Sequence, residues 1–293
     1  MSQVVAPTDT DDEVGLADWL EATMLVEQRV HMPRARIRKY VRSLFAIEDE
    51  VEITVDVLLR EISRRQRLCP AAYPFADHGT GVRYVQSPNA VPYLFLLSIS
   101  VSKRYREEAR YRDTDELFDY LVLDALTGYV GKGSCGVRFG APKSGKRPPN
   151  FRDAIGWLAK QMNLPLGRGQ ARPTGGDGGL DVIVWRQLRD KRSGFLILLA
   201  QCTVQKDWVG KAKDLQQDVW RGWIDFGKEP HLVLAIPFVV PLNFAKWDEL
   251  RRTVHTVLDR LRLCELLEGD TLSRQNDTAK WIAGELKRMQ GRN

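Results

Sequence analysis

The sequence has few of the residues that build zinc sites or disulfide frameworks. Four cysteines and four histidines occur in 293 residues, and the cysteines lie far apart, without a Cys-x-x-Cys pair. Structural zinc sites need clustered Cys and His ligands, so this spacing argues against one. A long chain so poor in cysteine also gives no sign of a disulfide framework, which favours a reducing compartment.

Long apolar runs are also lacking. The two longest, at 94–97 and 232–240, are far shorter than the roughly 20 apolar residues that span a bilayer as a helix. The N-terminus is polar and acidic, without the basic and apolar regions of a signal peptide. These absences predict a soluble, cytoplasmic protein that has no membrane partner.

What the chain does have is a modest basic surplus. Its net charge is +6, and 43% of its residues are hydrophobic and 28% charged, the balance of an ordinary globular protein. A basic surplus favours polyanionic partners such as nucleic acid. Basic residues are interleaved with apolar ones at 34–42 and 64–67, where they would either bind phosphates or form the solvated face of ordinary helices.

Hydrophobic periodicity divides the chain into regions. Residues 1–12 are predicted to be a disordered acidic tail. Apolar residues at helical spacing predict helices at 13–30, 36–45 and 51–68, so 13–110 is expected to be a mostly helical region that binds DNA or a partner. The apolar stretch 91–101 fits either a helix or a strand. From 111 to 293, helices and strands alternate as in a three-layer α/β core with a mixed central sheet.

One predicted hairpin carries candidate chemistry. Two apolar runs, 180–185 and 195–204, flank a polar turn that contains glycine, a pattern typical of antiparallel pairing. The turn places Asp181 opposite Cys202, within one residue, and close to Gln201. Carboxylate and amide oxygens are hard ligands that suit Mg²⁺ or Mn²⁺, so the hairpin end predicts a metal site. An Asp beside glycines also shapes turns, and a buried Gln can be a satisfied core amide.

The segments GGDGGLDVIVW and ILLAQCTVQKDW resemble the core of PD-(D/E)XK nucleases. They are closest to the variant found in type IV, modification-dependent restriction enzymes and related antiphage nucleases. The resemblance covers about residues 113–242 and implies a restriction-endonuclease-like fold, metal-dependent hydrolysis of DNA and a role in antiphage defence. Many such nucleases work as dimers or inside larger complexes, which points to a homodimer or to other defence-system subunits as further partners.

The resemblance also implies a set of metal ligands. In that family the Asp after the Gly-rich turn and the Glu or Gln of the second motif bind the metal, and these positions are Asp181 and Gln201 here. The family often adds an acidic ligand from an upstream helix. In this chain, Asp119 is the first candidate for that ligand and Glu116 is the runner-up. The cofactor implied is Mg²⁺ or Mn²⁺.

The chain departs from the family at the catalytic lysine. Thr203 stands where the second motif has Lys, the residue that assists the attacking water in that family. Lys206 and Lys211 follow, and Lys211 is favoured because a long side chain at the start of the next helix reaches back toward the hairpin. The departure leaves open a catalytically inactive nuclease fold that binds DNA or a partner protein. A third hypothesis is a regulator whose N-terminal helices form a DNA-reading helix-turn-helix.

A stretch rich in Gly, Pro and basic residues, 131–150, is predicted to be a DNA-facing loop. Residues 140–146 match the first part of a phosphate-binding P-loop, but Arg147 replaces the Ser or Thr that binds Mg²⁺. Two prolines then forbid the helix that would cradle phosphate, so a basic DNA-binding loop is the better interpretation. The predicted nucleic-acid contacts are Lys143, Lys146, Arg147 and Arg172.

Overall fold

The computed structural model describes residues 4–7, 9–47, 49–102, 112–140, 146–169, 178–269 and 272–291. The chain forms two compact units: unit 1 takes residues up to 110, 237–244 and 259 onward, and unit 2 takes 111–236 and 245–258. The predicted boundary at residue 110 coincides with a unit boundary. Residues 237–244 and 259 onward, which the sequence analysis includes in the core 111–293, group with unit 1.

Both units contain α-helices and β-strands. The helices are Glu13–Val26 (α1), Arg34–Phe45 (α2), Val51–Leu68 (α3), Val91–Val101 (α4), Arg112–Val130 (α5), Phe151–Met162 (α6), Trp208–Lys211 (α7), Gln217–Trp223 (α8), Trp247–Thr253 (α9), Arg260–Leu266 (α10) and Gln275–Met289 (α11). The strands are His31–Pro33 (β1), Phe75–Asp77 (β2), Gly81–Tyr84 (β3), Cys135–Arg138 (β4), Val182–Arg186 (β5), Leu196–Cys202 (β6), His231–Ala235 (β7) and Thr256–Leu258 (β8). Within the described ranges, no helix has the length and apolar character needed to cross a membrane.

A five-stranded mixed sheet is the centre of unit 2, which confirms the predicted α/β class with a mixed sheet. Its order is β4-β5-β6-β7-β8, and β5 and β6 form the predicted antiparallel hairpin. Strand β4 is also antiparallel to β5, whereas β7 runs parallel to β6 and β8 runs parallel to β7. Helix α5 packs on β4, β5 and β6.

Two regions differ from the sequence-based expectation. The predicted loop 131–150 contains β4. This strand is short, so period-2 alternation barely registers in the sequence. The stretch 91–101, which fits either a helix or a strand, is a helix. Part of the predicted disordered tail is ordered, because Val4 is buried and pairs with Ser102.

A buried network of charged side chains holds unit 1 together. Asp18 of α1 accepts hydrogen bonds from Arg65 of α3 at 2.6 Å and from Arg260 of α10 at 2.7 and 2.8 Å. Burial opposes ionisation of Asp18, but the two guanidinium groups outweigh it and lower its pKa to about 2. Arg65 also contacts Glu21 and Glu61 at 3.0 and 2.8 Å. Arg260 explains why the segment after 259 belongs to unit 1, since its partner lies on α1.

The interleaved basic residues of unit 1 are largely occupied within the chain. Arg34 pairs with Glu52 and Asp56, and Arg38 with Glu52 at 2.8 Å. Arg64 pairs with Glu61 at 2.6 Å. These pairs leave less of the basic charge for phosphates than the sequence pattern indicates. They weaken the case for α2 and α3 as a DNA-reading pair.

Replacing Arg260 with Met is expected to lower the free energy of unfolding by about 3–5 kcal/mol, because Asp18 would lose one of its two buried cationic partners. Arg274→Met is the matched control. Arg274 pairs with Asp277 at 2.6 Å on the surface of the same unit, where an ion pair contributes about 1 kcal/mol or less. Urea unfolding of both variants tests the difference, and equal losses would contradict it.

A histidine pair in unit 2 predicts a pH dependence of stability. The rings of His231 and His255 stack at 4.7 Å, and the Leu232 N–H donates to His255 Nδ1 at 2.8 Å. Burial, then the neighbouring His255, lowers the pKa of His231 below 6.5. The unfolded state therefore binds this proton more readily, and stability is lost as the pH falls through 6.5 toward the lower folded value.

We expect His231→Gln to reduce the loss of unfolding free energy between about pH 7.5 and about pH 5.5, the range in which histidine titrates. Denaturant unfolding at several pH values measures it. His78→Gln removes an exposed histidine and is expected to keep the wild-type dependence. A His231→Gln profile parallel to that of the wild type would refute the assignment.

Candidate metal centre

The end of the β5–β6 hairpin places Asp181 against β6. Val182 pairs with Ala200, which is one residue from the predicted register and within its allowance. The Asp181 N–H donates to the Ala200 carbonyl at 3.0 Å, and the Cys202 N–H donates to Asp181 Oδ2 at 2.8 Å. The carboxylate therefore lies at the end of the strand, where it accepts a main-chain hydrogen bond in place of a carbonyl.

Helix α5 brings a second carboxylate to the same place. Asp119 lies on the buried side of α5, beside Phe118 and Val122, because apolar residues at helical spacing turn that side toward the sheet. Among the described His, Cys, Asp and Glu side chains, one group of potential ligands forms, with ligand atoms within 4.8 Å of one another: Asp119, Asp181 and Cys202. Two of the predicted metal ligands, Asp119 and Asp181, thus lie together.

Gly140 permits this approach. A Cβ at this position would lie 2.6 Å from Asp181 Oδ1, which is closer than real Cβ atoms come to a neighbour, and 3.4 Å from Asp119 Oδ2. The Gly140 N–H also donates to the Asp181 carbonyl at 3.0 Å. Gly140 is therefore part of the wall of the site.

Arg138 and Cys202 complete the immediate surroundings of Asp119. Arg138 Nε donates to Asp119 Oδ2 at 2.9 Å, and the Cys202 thiol hydrogen-bonds to the same carboxyl group. Burial is the dominant effect and raises the pKa of Asp119 to about 7, although Arg138 and the thiol pull it down. Burial and the two nearby carboxylates raise the pKa of the Cys202 thiol well above its usual range.

Gln201 lies on the other side of the strand. Side chains alternate along β6, so Gln201 and Cys202 point to opposite faces of the sheet. Gln201 Nε2 lies 3.5 Å from Asp214 Oδ2, and Lys211 Nζ contacts the same oxygen at 2.9 Å. Gln201 is buried, and its Oε1 has no hydrogen-bond partner among the residues that the structure describes. Gln201 and Lys211 are therefore linked through Asp214. Gln201 lies on the face of the sheet opposite to the one that carries Asp119.

The remaining predicted catalytic residues lie near the end of β6. Thr203 is buried, and its Oγ1 accepts a hydrogen bond from the Gln205 N–H at 3.2 Å. Lys206 is exposed in the turn before α7, whereas Lys211 ends α7 in the ion pair with Asp214. Glu116, the runner-up ligand, is half-buried one turn before Asp119 and is not a member of the three-residue group.

The structure describes two of the four predicted DNA contacts, Lys146 and Arg147. Lys143 and Arg172 lie outside the described residues. Lys146 is exposed, as a phosphate contact requires. Arg147 is buried, with its guanidinium 4.2 Å from the centre of the Phe139 ring, so its side chain is directed into the protein rather than toward a ligand. This position corrects the sequence-based expectation for Arg147.

Two members of the site were missed because each looks unremarkable in the sequence. Arg138 falls in a glycine-rich stretch interpreted as a loop, although Val137 and Phe139 on either side give the alternation of a short strand. In the sequence, Cys202 resembles a small apolar residue, the usual state of a buried cysteine. Only the pairing of β4, β5 and β6 brings these residues to Asp119.

The donor set fits a divalent cation. Two carboxylates suit Mg²⁺ and Mn²⁺, and the absence of a Cβ at Gly140 keeps the space beside them narrow but open. Asp181 and Cys202 are half-buried, so the group is reached from solvent on one side. Arg138 already neutralises part of the charge on Asp119, and a cation would have to share that carboxylate.

Comparison with known proteins adds no assignment. No family model matches the chain, and no curated protein or solved structure matches it significantly.

Gly140→Ala is expected to weaken metal binding and to lower the free energy of unfolding by about 1–3 kcal/mol, the usual cost of overpacking. The added methyl group would push Asp181 away from Asp119. Calorimetric titration with Mn²⁺ and urea unfolding measure the two effects. Gly156→Ala in α6 is the control, since no atom outside its own helix lies within 4 Å of the new Cβ. Wild-type Mn²⁺ affinity in Gly140→Ala would contradict the assignment.

Proposed function

We propose that unit 2 is a restriction-endonuclease-like core that hydrolyses DNA phosphodiester bonds with Mg²⁺ or Mn²⁺. The mixed sheet, with an antiparallel hairpin followed by a parallel strand after a helical connection, supports this finer fold assignment. The resemblance of the two hairpin segments supports a role as an effector in antiphage defence, with DNA as the partner.

The observation that carries the proposal is the meeting of Asp119 and Asp181. The sequence places Asp181 at the end of a hairpin, and the family resemblance points to Asp119 on an upstream helix. The fold brings their oxygens within 4.8 Å next to Arg138, with Asp119 buried and Asp181 half-buried. Two carboxylates this close offer the hard oxygen ligands that Mg²⁺ and Mn²⁺ prefer, which supports a cation as the ligand.

The residues of this chain would divide the work as follows. Asp119 and Asp181 would hold the ion, which when bound lowers the pKa of a water molecule and offsets charge on the phosphate. Arg138 holds Asp119 in its rotamer through a charge-assisted hydrogen bond, and it is the nearest cation to that carboxylate given by the structure. Lys211, held by Asp214, and Lys206 supply positive charge at the same end of β6 for the DNA backbone.

A second candidate is a catalytically inactive nuclease fold that binds DNA or a partner protein. Thr203 in place of Lys favours it, and so does the 2.9 Å ion pair by which Arg138 already compensates Asp119. In this case the arginine replaces the metal as the partner of the carboxylate. DNA binding would then be independent of divalent ions.

The test is cleavage of plasmid and phage DNA with Mg²⁺ or Mn²⁺. We expect Asp181→Ala and Asp119→Asn each to reduce cleavage by about 100-fold or more, since even residues that only orient metal ligands cost 10–100-fold. Excess EDTA should stop the wild-type reaction. Asp225→Asn, which changes a carboxylate in the same unit that caps a turn at Gly227, is the control and should cut normally.

Gln201→Ala decides which face of β6 takes part. A loss as large as that of Asp119→Asn would bring the opposite face into the reaction. Wild-type protein that binds DNA but fails to cut it with either metal, and whose binding is unchanged in Asp181→Ala, would support the inactive module instead.

A further inference from the structure

We propose that Cys202 is a metal ligand together with Asp119 and Asp181, so that this site binds a thiophilic divalent ion such as Zn²⁺ or Co²⁺ in addition to the Mg²⁺ or Mn²⁺ of the proposed reaction. The inference deepens the proposed metal centre, but it concerns ion choice and does not require that the protein cuts DNA. A two-carboxylate, one-thiolate set differs from the all-oxygen set that the sequence predicts.

The geometry brings the sulfur to the carboxylates from a fixed direction. Cys202 ends β6, and its N–H is bonded to Asp181 Oδ2 at 2.8 Å, which fixes the backbone that carries the thiol. Its Sγ and one oxygen of each carboxylate lie within 4.8 Å of one another, and the thiol already contacts Asp119. Three ligand atoms at that spacing can surround one ion after small side-chain adjustments.

The position of Gln201 strengthens the choice of Cys202. The sequence motif makes Gln201 the second ligand, but alternation along β6 turns it to the opposite face, toward Asp214. The side chain that β6 directs to Asp119 is a cysteine. A sulfur in place of an oxygen changes ion preference, since thiolates favour zinc and other transition metals whereas Mg²⁺ requires oxygen ligands.

Binding has a defined proton balance. The Cys202 thiol hydrogen-bonds to the Asp119 carboxyl group in the metal-free protein. Formation of the sulfur–metal bond breaks the S–H bond, and the proton passes to solvent. Arg138 contacts Asp119 through Oδ2.

The experiment uses the full chain, freed of metal and titrated with Co²⁺ under reducing conditions. A sulfur-to-cobalt charge-transfer band in the near ultraviolet reports thiolate ligation directly, and histidine or carboxylate ligation does not produce it. We expect the band in the wild type and its loss in Cys202→Ser. Cys135→Ser is the matched control, because Cys135 is the exposed cysteine of β4 in the same unit.

Calorimetry with Zn²⁺ supplies the second measurement. Cys202→Ser is expected to weaken Zn²⁺ binding by more than about tenfold, because it removes a direct ligand where outer-shell changes alone cost 10–100-fold. Mg²⁺ affinity should change little. Circular dichroism and urea unfolding establish that the variant is folded.

A cobalt band that persists in Cys202→Ser but vanishes in Cys135→Ser would overturn the proposal, as would the absence of any band in the wild type. Equal Zn²⁺ affinity of the wild type and Cys202→Ser would also overturn it. These outcomes are independent of cleavage. If the protein shows a Cys202-dependent band but does not cut DNA, the metal-ligand proposal stands and the nuclease proposal fails.

Discussion

Strand β6 is buried along most of its length, in the middle of the sheet of unit 2. Every polar side chain near its end must therefore find partners on the face to which alternation directs it. Cys202 meets the carboxylates on one face, and Gln201 meets Asp214 on the other. The rest of the candidate site follows from this constraint, since neighbouring residues of the strand serve separate groups of side chains.

The hairpin and its acidic residue were predictable because their signals are local. Two apolar runs and a glycine-containing turn predict the pairing of β5 with β6, and Asp181 stands at the start of the first run. Asp119 was found through likeness to a family rather than through its own surroundings. The face of Gln201 was not predictable, because a change of one residue in register or a bend at the strand end exchanges the two faces. Arg138 was missed since β4 is too short to show its period.

Both units compensate buried carboxylates with arginine, but the balance differs. In unit 1, Asp18 faces two guanidinium groups and has a pKa of about 2, so it stays charged at any ordinary pH. In unit 2, Asp119 faces one, while Asp181 and Asp115 stand near, and its pKa is about 7. The first arrangement suits a permanent structural bond. The second has one arginine for Asp119, so its carboxyl group is easier to protonate than that of Asp18.

The division of the chain into two units has a consequence for how the protein is made. The chain leaves unit 1 after residue 110, returns at 237–244 and returns finally at 259. During synthesis on the ribosome, α1 and α3 therefore emerge long before α10, the helix that carries the second partner of Asp18. The usual order, in which the N-terminal domain completes first, does not apply here. Unit 1 therefore stays incompletely folded until its last segment has been synthesised, and its need for chaperones is greatest during that interval.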